Sequence, residues 1–163
     1  MKTLVITREL LDYDNYYIGN ENVANFQGHI EIESNLGHVR FKTQLSAAGR
    51  ILSKAGTSIE AGGGIKAGYG IKAGGGIKAG GGIEAGWGIE AGYGIKAGGG
   101  IEAGLGIKAG LSIVCRTLSA GVRIFAGLAI WKIPSSEEME IRCEELLRGE
   151  VAFGELIITE ASK

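Results

Sequence analysis

The sequence contains two histidines, His29 and His38, at equivalent places in GHIEIE and GHVRFK, each between a glycine and an aliphatic residue. A histidine pair can hold a metal ion or transfer protons in catalysis. No Ser/His/Asp arrangement, phosphate-binding glycine loop or metal-ligand spacing accompanies them. We therefore interpret both as edge residues of β-hairpins, and we predict no catalytic residue, no metal site and no cofactor.

The segment Asp-Tyr-Asp-Asn at residues 12–15 begins like a calcium-binding loop. Such a loop needs a further oxygen ligand and then a glycine, which makes its sharp turn. Tyr16 and Tyr17 occupy those two positions here. The segment is therefore predicted to form a turn rather than a metal site.

The two cysteines, Cys115 and Cys143, have no CxxC spacing. We interpret them as reduced, buried thiols of a cytoplasmic protein, with a single disulfide as the alternative. The apolar start of the chain ends at Arg8, which is too early for a secretory signal. The most apolar later stretch is interrupted by Arg116 and Arg123, so no membrane association is predicted.

The main structural element of the sequence is a six-residue repeat, a hexad with the pattern Ile-x-Ala-Gly-z-Gly. Isoleucine recurs at its first position from Ile59 to Ile113, and position x is charged from Glu60 to Lys108. Glycine accounts for 30 of 163 residues, yet the chain is 45% hydrophobic, which argues against disorder. A period of six does not match a helix, where each glycine also costs about 1 kcal/mol relative to alanine. A three-residue strand fits, with isoleucine and alanine on one side, and with Gly-z-Gly as a corner where glycine permits positive φ. The hexads therefore predict an all-β fold, a β-solenoid.

The variable position z indicates how many hexads complete one coil. With three hexads, about 18 residues, z sorts into three rows: Gly63/Gly81/Gly99, Tyr69/Trp87/Leu105 and Gly75/Tyr93/Leu111. Charges at x then place Lys66 beside Glu84, and Glu90 between Lys72 and Lys108, although Lys78/Lys96 and Glu84/Glu102 are like pairs. We predict a triangular prism.

The repeat weakens on both flanks. Leu45 and Ile51 anticipate it, and Leu118, Ile124 and Ile130 continue it after a slip of one residue. We therefore predict three regions: an N-terminal β cap at 1–44, a glycine-rich solenoid at 45–133 of about five coils, and an acidic C-terminal cap at 134–163. The last region fits strands or a short helix capped by Ser135 or Ser136.

Charge is segregated along the same boundaries. Residues 45–133 carry ten Lys/Arg against four Asp/Glu, whereas residues 134–163 carry three against eight. A basic middle between acidic ends favours separate surfaces for separate partners.

The stacked hexads resemble the left-handed β-helix of the hexapeptide-repeat acyltransferases, over about half of the chain. That family places a small residue two positions before the aliphatic one, where this chain has z, and it uses a histidine within the coils. Because His29 and His38 precede the repeats, the resemblance implies an architecture and carries no catalytic residue to this sequence. Acyltransferase activity is the weakest of the functional alternatives.

Since the regular positions build a scaffold, function is assigned to the positions that vary. If z points outward, its bulky residues form an apolar ridge beside charged rows, as protein interfaces do. If z points inward, they only fill the prism. The predicted partner-binding residues are Tyr69, Trp87, Tyr93, Leu105, Lys66, Lys72 and Lys96.

The favoured function is a non-catalytic inhibitor, encoded by a phage or mobile element, which binds a host protein in the cytoplasm such as a nuclease or a CRISPR effector complex. One alternative is a structural β-prism of a phage fibre or scaffold, and a homo-oligomer is compatible with either. Direct nucleic-acid binding through lysines and stacked aromatic rings is a weaker alternative, because glutamates alternate with the lysines.

Overall fold

Alternation along each hexad separates the interior of this protein from its surface. In the hexad of Ile83, the isoleucine and Ala85 are buried and Glu84 between them is exposed. The computed structural model describes residues 1–160, which form a parallel β-solenoid of about seven turns with about 18 residues per turn. The all-β class and the coil size predicted from the sequence are therefore confirmed.

The strands follow one another with two short 3-10 helices, Arg8–Leu10 and Glu137–Met139. In chain order they are β1 (Lys2–Ile6), β2 (Gly28–Ile32), β3 (Gly37–Phe41), β4 (Leu45–Ala47), β5 (Ile51–Ser53), β6 (Thr57–Ala61), β7 (Ile65–Ala67), β8 (Ile71–Ala73), β9 (Ile77–Ala79), β10 (Ile83–Ala85), β11 (Ile89–Ala91), β12 (Ile95–Ala97), β13 (Ile101–Ala103), β14 (Ile107–Ala109), β15 (Ile113–Val114), β16 (Thr117–Phe125), β17 (Glu140–Cys143), β18 (Glu145–Phe153) and β19 (Glu155–Ile158).

Parallel pairing arranges these strands in three faces. The first face stacks β1, β2, β5, β8, β11, β14 and the later halves of β16 and β18. The second face stacks β3, β6, β9, β12, β15, β17 and β19. The third face stacks β4, β7, β10, β13 and the earlier halves of β16 and β18. Because β16 and β18 each turn a corner, they join the first and third faces into one sheet.

The register of the stack reproduces the predicted rows. Ile83 pairs with Ile65 on one side and Ile101 on the other, and the same spacing recurs on every face. Glu90 lies between Lys72 and Lys108 as predicted, and the like pairs Lys78/Lys96 and Glu84/Glu102 are also neighbours. The isoleucines form a continuous apolar core, with Ile89 and its neighbours about 1% exposed.

The hexad glycines are required for a reason that differs from the prediction. None of the glycines between Ile59 and Ser112 has a positive φ. Instead, a Cβ on Gly86 would lie 2.1 Å from the carbonyl oxygen of Gly68 in the preceding coil, and a Cβ on Gly80 would lie 2.2 Å from that of Gly62. Glycine is therefore needed at the fourth hexad position because backbone stacks directly on backbone at each corner.

The chain ends contribute strands to the same three faces. β1 pairs with β2, β3 with β6, and β17 with both β15 and β19. The hairpins expected around His29 and His38 are wrong, because β2 and β3 each pair in parallel with strands of neighbouring coils. Alternation alone does not distinguish a hairpin strand from a short solenoid strand, since both bury every second residue.

At its N-terminal end the solenoid is closed by the segment between β1 and β2. Tyr16 bridges to Arg40 of β3, and Phe26 bridges to Ala47 of β4, so two of the three strand edges are covered. Leu11 and Phe26 of this segment are buried. Asp12 makes the predicted turn, since its carboxylate accepts hydrogen bonds from the backbone N–H groups of Asp14 and Tyr16.

After β16 the chain leaves the stack as a surface loop. Leu118 and Ile124 continue the isoleucine rows, as predicted, by pairing with Ile101 and Ile107. Ile130 does not continue them: it is 99% exposed, so its assignment to the repeat is wrong. Since Leu118 and Ile124 remain buried after the slip, the departure comes later, at Gly127, whose positive φ of 79° is absent from the glycines of the regular hexads.

The segment 134–150, left open between helix and strand, combines a 3-10 turn with strands. Ser135 and Glu138 exchange hydrogen bonds, each side chain accepting from the backbone N–H of the other residue. This reciprocal pair starts the turn Glu137–Met139, and β17 follows directly.

Candidate protein-interaction surface

Bulky z residues form a line along the corner between the third and first faces. Tyr69, Trp87 and Leu105 are stacked coil upon coil, because the backbone N–H of each later residue donates to the carbonyl oxygen of the one before. Their exposed fractions are 36%, 56% and 53%, so z points outward. The core does not need these side chains, since isoleucine and alanine fill it.

The line extends beyond the regular hexads at both ends. The imidazole of His29 lies 5.9 Å from the Tyr69 ring, and its Nδ1 accepts a hydrogen bond from the backbone N–H of Arg50. At the other end, Val122 donates its backbone N–H to Leu105 and is exposed. We call His29, Tyr69, Trp87, Leu105 and Val122 the corner ridge.

The corner ridge forms one wall of a groove on the first face, with a volume of about 820 Å³. Tyr69, Trp87 and Leu105 line one side, and Leu52 and Phe125 lie along the outer surface of the face. The surface of the groove is mainly apolar, and it is open to solvent along its length. An open, mainly apolar groove is suited to an elongated partner rather than to an enclosed substrate.

Charged side chains of both signs lie around the groove, and its lining contains Arg50, Lys72 and Lys108 together with Glu90. Lys72 lies 3.8 Å from Glu90, and Lys108 is the next residue in the same row. On the third face, Lys66 lies 3.4 Å from Glu84. Because these charges are exposed and paired, they contribute little to stability and remain available to a partner.

Tyr93 lies at a different corner from the other predicted aromatic residues. It follows β11, between the first and second faces, and is 48% exposed. Its ring contacts Trp131 of the surface loop, with ring centroids 4.9 Å apart. Lys96 is on the second face, beyond Tyr93. The predicted partner-binding residues therefore divide into the corner ridge with Lys66 and Lys72, and a second group with Tyr93 and Lys96.

The surface loop carries apolar residues that sequence reasoning did not select. Ile130, Trp131 and Ile133 are exposed by 99%, 54% and 94%. Because Ile130 was assigned to the repeat, its side chain was expected to be buried. The loss of the Ala-Gly-z-Gly pattern after Gly127 was the signal that the chain leaves the solenoid there.

The two histidines lie on different faces of the solenoid. His29 is on the first face and His38 on the second, and residues 1–160 contain no group of three His, Cys, Asp or Glu side chains placed to hold a metal ion.

Cys115 and Cys143 are free and buried. Burial raises the pKa of the Cys115 thiol to about 12, with a smaller contribution from Cys143, and burial also raises the pKa of Cys143. Both thiols are therefore unreactive at neutral pH.

These features define a class of protein, a parallel β-solenoid with hexapeptide-repeat-like architecture. No protein-family model, no curated protein and no solved structure matches the chain. Within residues 1–160, no helix has the length and apolar character needed to cross a lipid bilayer.

Proposed function

We propose that this protein is a non-catalytic protein-interaction module whose corner ridge binds a partner protein. The observation that carries this proposal is the exposed stack of Tyr69 on Trp87 along the outside of the solenoid. Glycine occupies z at 63, 75, 81 and 99, so the scaffold does not require a large residue at this position. An aromatic pair held where folding does not need it favours a role in recognition.

The solenoid supports this role by holding the ridge in one conformation. Four of the five ridge residues, Tyr69, Trp87, Leu105 and Val122, each donate a backbone hydrogen bond to the coil before them. A surface that is ordered before binding loses little conformational entropy when a partner docks. Rigid aromatic side chains in such a surface typically contribute 2 kcal/mol or more each to binding.

The charges around the groove favour a protein partner over a nucleic acid. Glu90 lies between Lys72 and Lys108, and Glu84 pairs with Lys66. A phosphate backbone in the groove would meet the Glu90 carboxylate between Lys72 and Lys108, which opposes binding there. A protein surface with both signs of charge can pair with both.

In its narrower form, the proposal is that the protein acts in the cytoplasm as an inhibitor encoded by a phage or mobile element, and that it blocks a host nuclease or CRISPR effector. Two free cysteines are typical of a reducing compartment. A groove framed by mixed charge suits steric blocking of a partner rather than chemistry on a substrate.

The test compares the wild-type protein with a ridge variant, Tyr69→Gly/Trp87→Gly/Leu105→Gly, as immobilised baits in bacterial cytoplasmic extract. Tyr93→Gly is the matched control, since Tyr93 is equally exposed but lies at another corner. We expect a partner that binds the wild type and the control but not the ridge variant. If that partner is a nuclease, the wild-type protein should inhibit its cleavage in a purified reaction.

Three results would contradict the proposal. Equal capture by the wild type and the ridge variant would remove the ridge from the interface. Tight binding of single-stranded oligonucleotides at 150 mM salt would favour the nucleic-acid alternative. An obligate trimer or filaments of the purified protein, seen by light scattering, would favour the structural alternative.

A further inference from the structure

The groove on the first face runs along the solenoid axis and therefore crosses the strands. Its lining repeats from coil to coil: the z residues of the corner ridge form one row, and the x residues of the first face form another. Between these rows the lining contains the glycines at the sixth hexad position, which are Gly70, Gly88 and Gly106. The groove is thus bounded by two rows of side chains with bare backbone between them.

The row of x residues has apolar ends and a charged middle. In consecutive coils it consists of Leu52, Lys72, Glu90, Lys108 and Phe125. Since neighbouring strands lie about 4.8 Å apart, these five residues cover about 19 Å. A partner that fills the groove therefore has an apolar side toward the corner ridge and a flank with charges opposite to those of the row.

We propose that the groove binds an amphipathic α-helix of the partner protein, lying parallel to the solenoid axis. A helix of about 13 residues spans this length at about 1.5 Å per residue. Its flank carries an acidic, a basic and an acidic residue opposite Lys72, Glu90 and Lys108. This inference rests on the proposed function, because it names the part of the partner that the corner ridge contacts.

The spacing of the coils favours a helix over an extended peptide. Three consecutive coils lie at about 0, 4.8 and 9.6 Å along the solenoid axis. Residues i, i+3 and i+7 on one side of a helix lie at about 0, 4.5 and 10.5 Å along its axis, within about 1 Å of these positions. In an extended strand, residues i, i+2 and i+4 lie at about 0, 6.7 and 13.4 Å. The third residue of the strand is therefore almost 4 Å beyond the third coil.

Backbone hydrogen bonding leads to the same choice. The strands beneath the groove, β8, β11 and β14, each pair with a neighbouring strand on both edges. An extended peptide in the groove would cross these strands, so it could not join their sheet. Its N–H and C=O groups would then face a mainly apolar surface without partners. A helix satisfies these groups internally.

The three central charges give the groove a preference among helices. Lys72 and Lys108 are exposed, and Glu90 between them is half-buried. A helix with the order acidic, basic, acidic meets an opposite charge at each place, whereas the inverse order meets three like charges. Because the order is the same when read from either end, the helix can lie in either direction.

The experiment measures binding of two synthetic peptides of about 14 residues, held helical by a cross-link on the outer side. Both carry leucine along one side. The matched peptide has Glu, Lys and Glu at positions i, i+3 and i+7 of one flank, and the inverse peptide has Lys, Glu and Lys there. Residues on the outer side give both the same net charge. Fluorescence anisotropy with the full chain should give a Kd at least about tenfold lower for the matched peptide.

Protein variants test which residues read the charges. Lys72→Glu/Glu90→Lys/Lys108→Glu should exchange the preference, since it inverts every charge of the row and keeps the alternation. Glu60→Lys/Lys78→Glu is the matched control, because these neighbours lie on the second face, and it should keep the wild-type preference. The ridge variant should bind neither peptide. Melting curves should show that all variants are folded.

A proline at the centre of an uncross-linked matched peptide tests the helix itself. It should abolish binding, because proline breaks a helix but is compatible with an extended chain. Equal affinity for the matched and inverse peptides, no binding of either, an unchanged preference in the triple variant, or undiminished binding of the proline peptide would each overturn the inference. The proposed function would stand in all four cases if the ridge variant lost the captured partner, since that result does not depend on the partner's secondary structure.

Discussion

The rings of Tyr69 and Trp87 stack on the outside of the solenoid, with centroids 4.7 Å apart and planes 11° apart. This contact joins two consecutive coils at one corner, on the outside of the solenoid. A stacked pair of this kind contributes about 0.5–1.5 kcal/mol beyond its buried area. The stack therefore adds modestly to stability and presents a flat aromatic surface to solvent.

Trp87→Gly is expected to lower the free energy of unfolding by only about 1–2 kcal/mol, because the stack is lost and the core remains. Ile89→Ala, two residues later but buried, should cost about 2–5 kcal/mol. Urea unfolding followed by circular dichroism measures both. A larger loss for Trp87→Gly than for Ile89→Ala would show that the ridge is part of the core.

Deleting residues 77–94 removes one complete coil and should leave a folded, shorter solenoid. Ile95 would take the place of Ile77 on the second face, and every later strand would keep its face. Deleting 77–88 instead shifts each later strand to another face, so β16 and the surface loop would meet the wrong neighbours. We expect a cooperative thermal transition and β circular dichroism for the first variant only. Equal folding of both would contradict the three-sided coil.

Gly86→Ala and Gly88→Ala test the steric role of the corner glycines. The new Cβ would lie 2.1 Å from the carbonyl oxygen of Gly68 in the first variant, but 3.3 Å from that of Gly106 in the second. The first should therefore lose at least about 1–3 kcal/mol through overpacking. The second should change by less than about 1 kcal/mol, because alanine also restricts the unfolded chain. Chemical denaturation of the pair gives both values, and equal losses would reject the steric explanation.

The raised pKa of Cys115 predicts that stability falls at alkaline pH. Above the pKa of an ordinary thiol, near 9, the unfolded state loses the Cys115 proton while the folded state keeps it until about pH 12. The unfolded state is therefore favoured by up to about 1.4 kcal/mol per pH unit over this interval. Below pH 9 the group has no effect on the pH dependence.

Unfolding measured at pH 8 and pH 10.5 checks this prediction. Since lysine and tyrosine also titrate at alkaline pH, the comparison is between the wild type and Cys115→Ala, whose loss of stability between the two pH values should be smaller. In the same experiment, thiol reagents should leave Cys115 unmodified at pH 8 and label it in urea. Rapid labelling of the folded protein would contradict its burial.

The repeat by itself determined the β-solenoid, the inward isoleucine and alanine, and the three hexads per coil. These features are readable from sequence because equivalent residues of a parallel stack lie directly above one another. Glycine and bulky residues at z, such as Gly81 and Trp87, separate into different rows only when a coil has three hexads. The sequence alone therefore indicates the coil length. The outward direction of Trp87 was left open, because an alternation of buried and exposed residues does not extend through a corner.

Only the tertiary structure decided the features that depend on pairing between coils of unequal length. The chain ends join the same three faces because β2 pairs with the edge of β5 and β17 pairs with the edge of β15. No local sequence pattern predicts this pairing. The corner glycines are required by the oxygen atoms of the preceding coil rather than by their own φ. Ile130, six residues after the buried Ile124, is exposed because the chain leaves the stack after Gly127, whose φ is positive. Where the period of six is broken, register is set by contacts distant in sequence, and periodicity no longer specifies it.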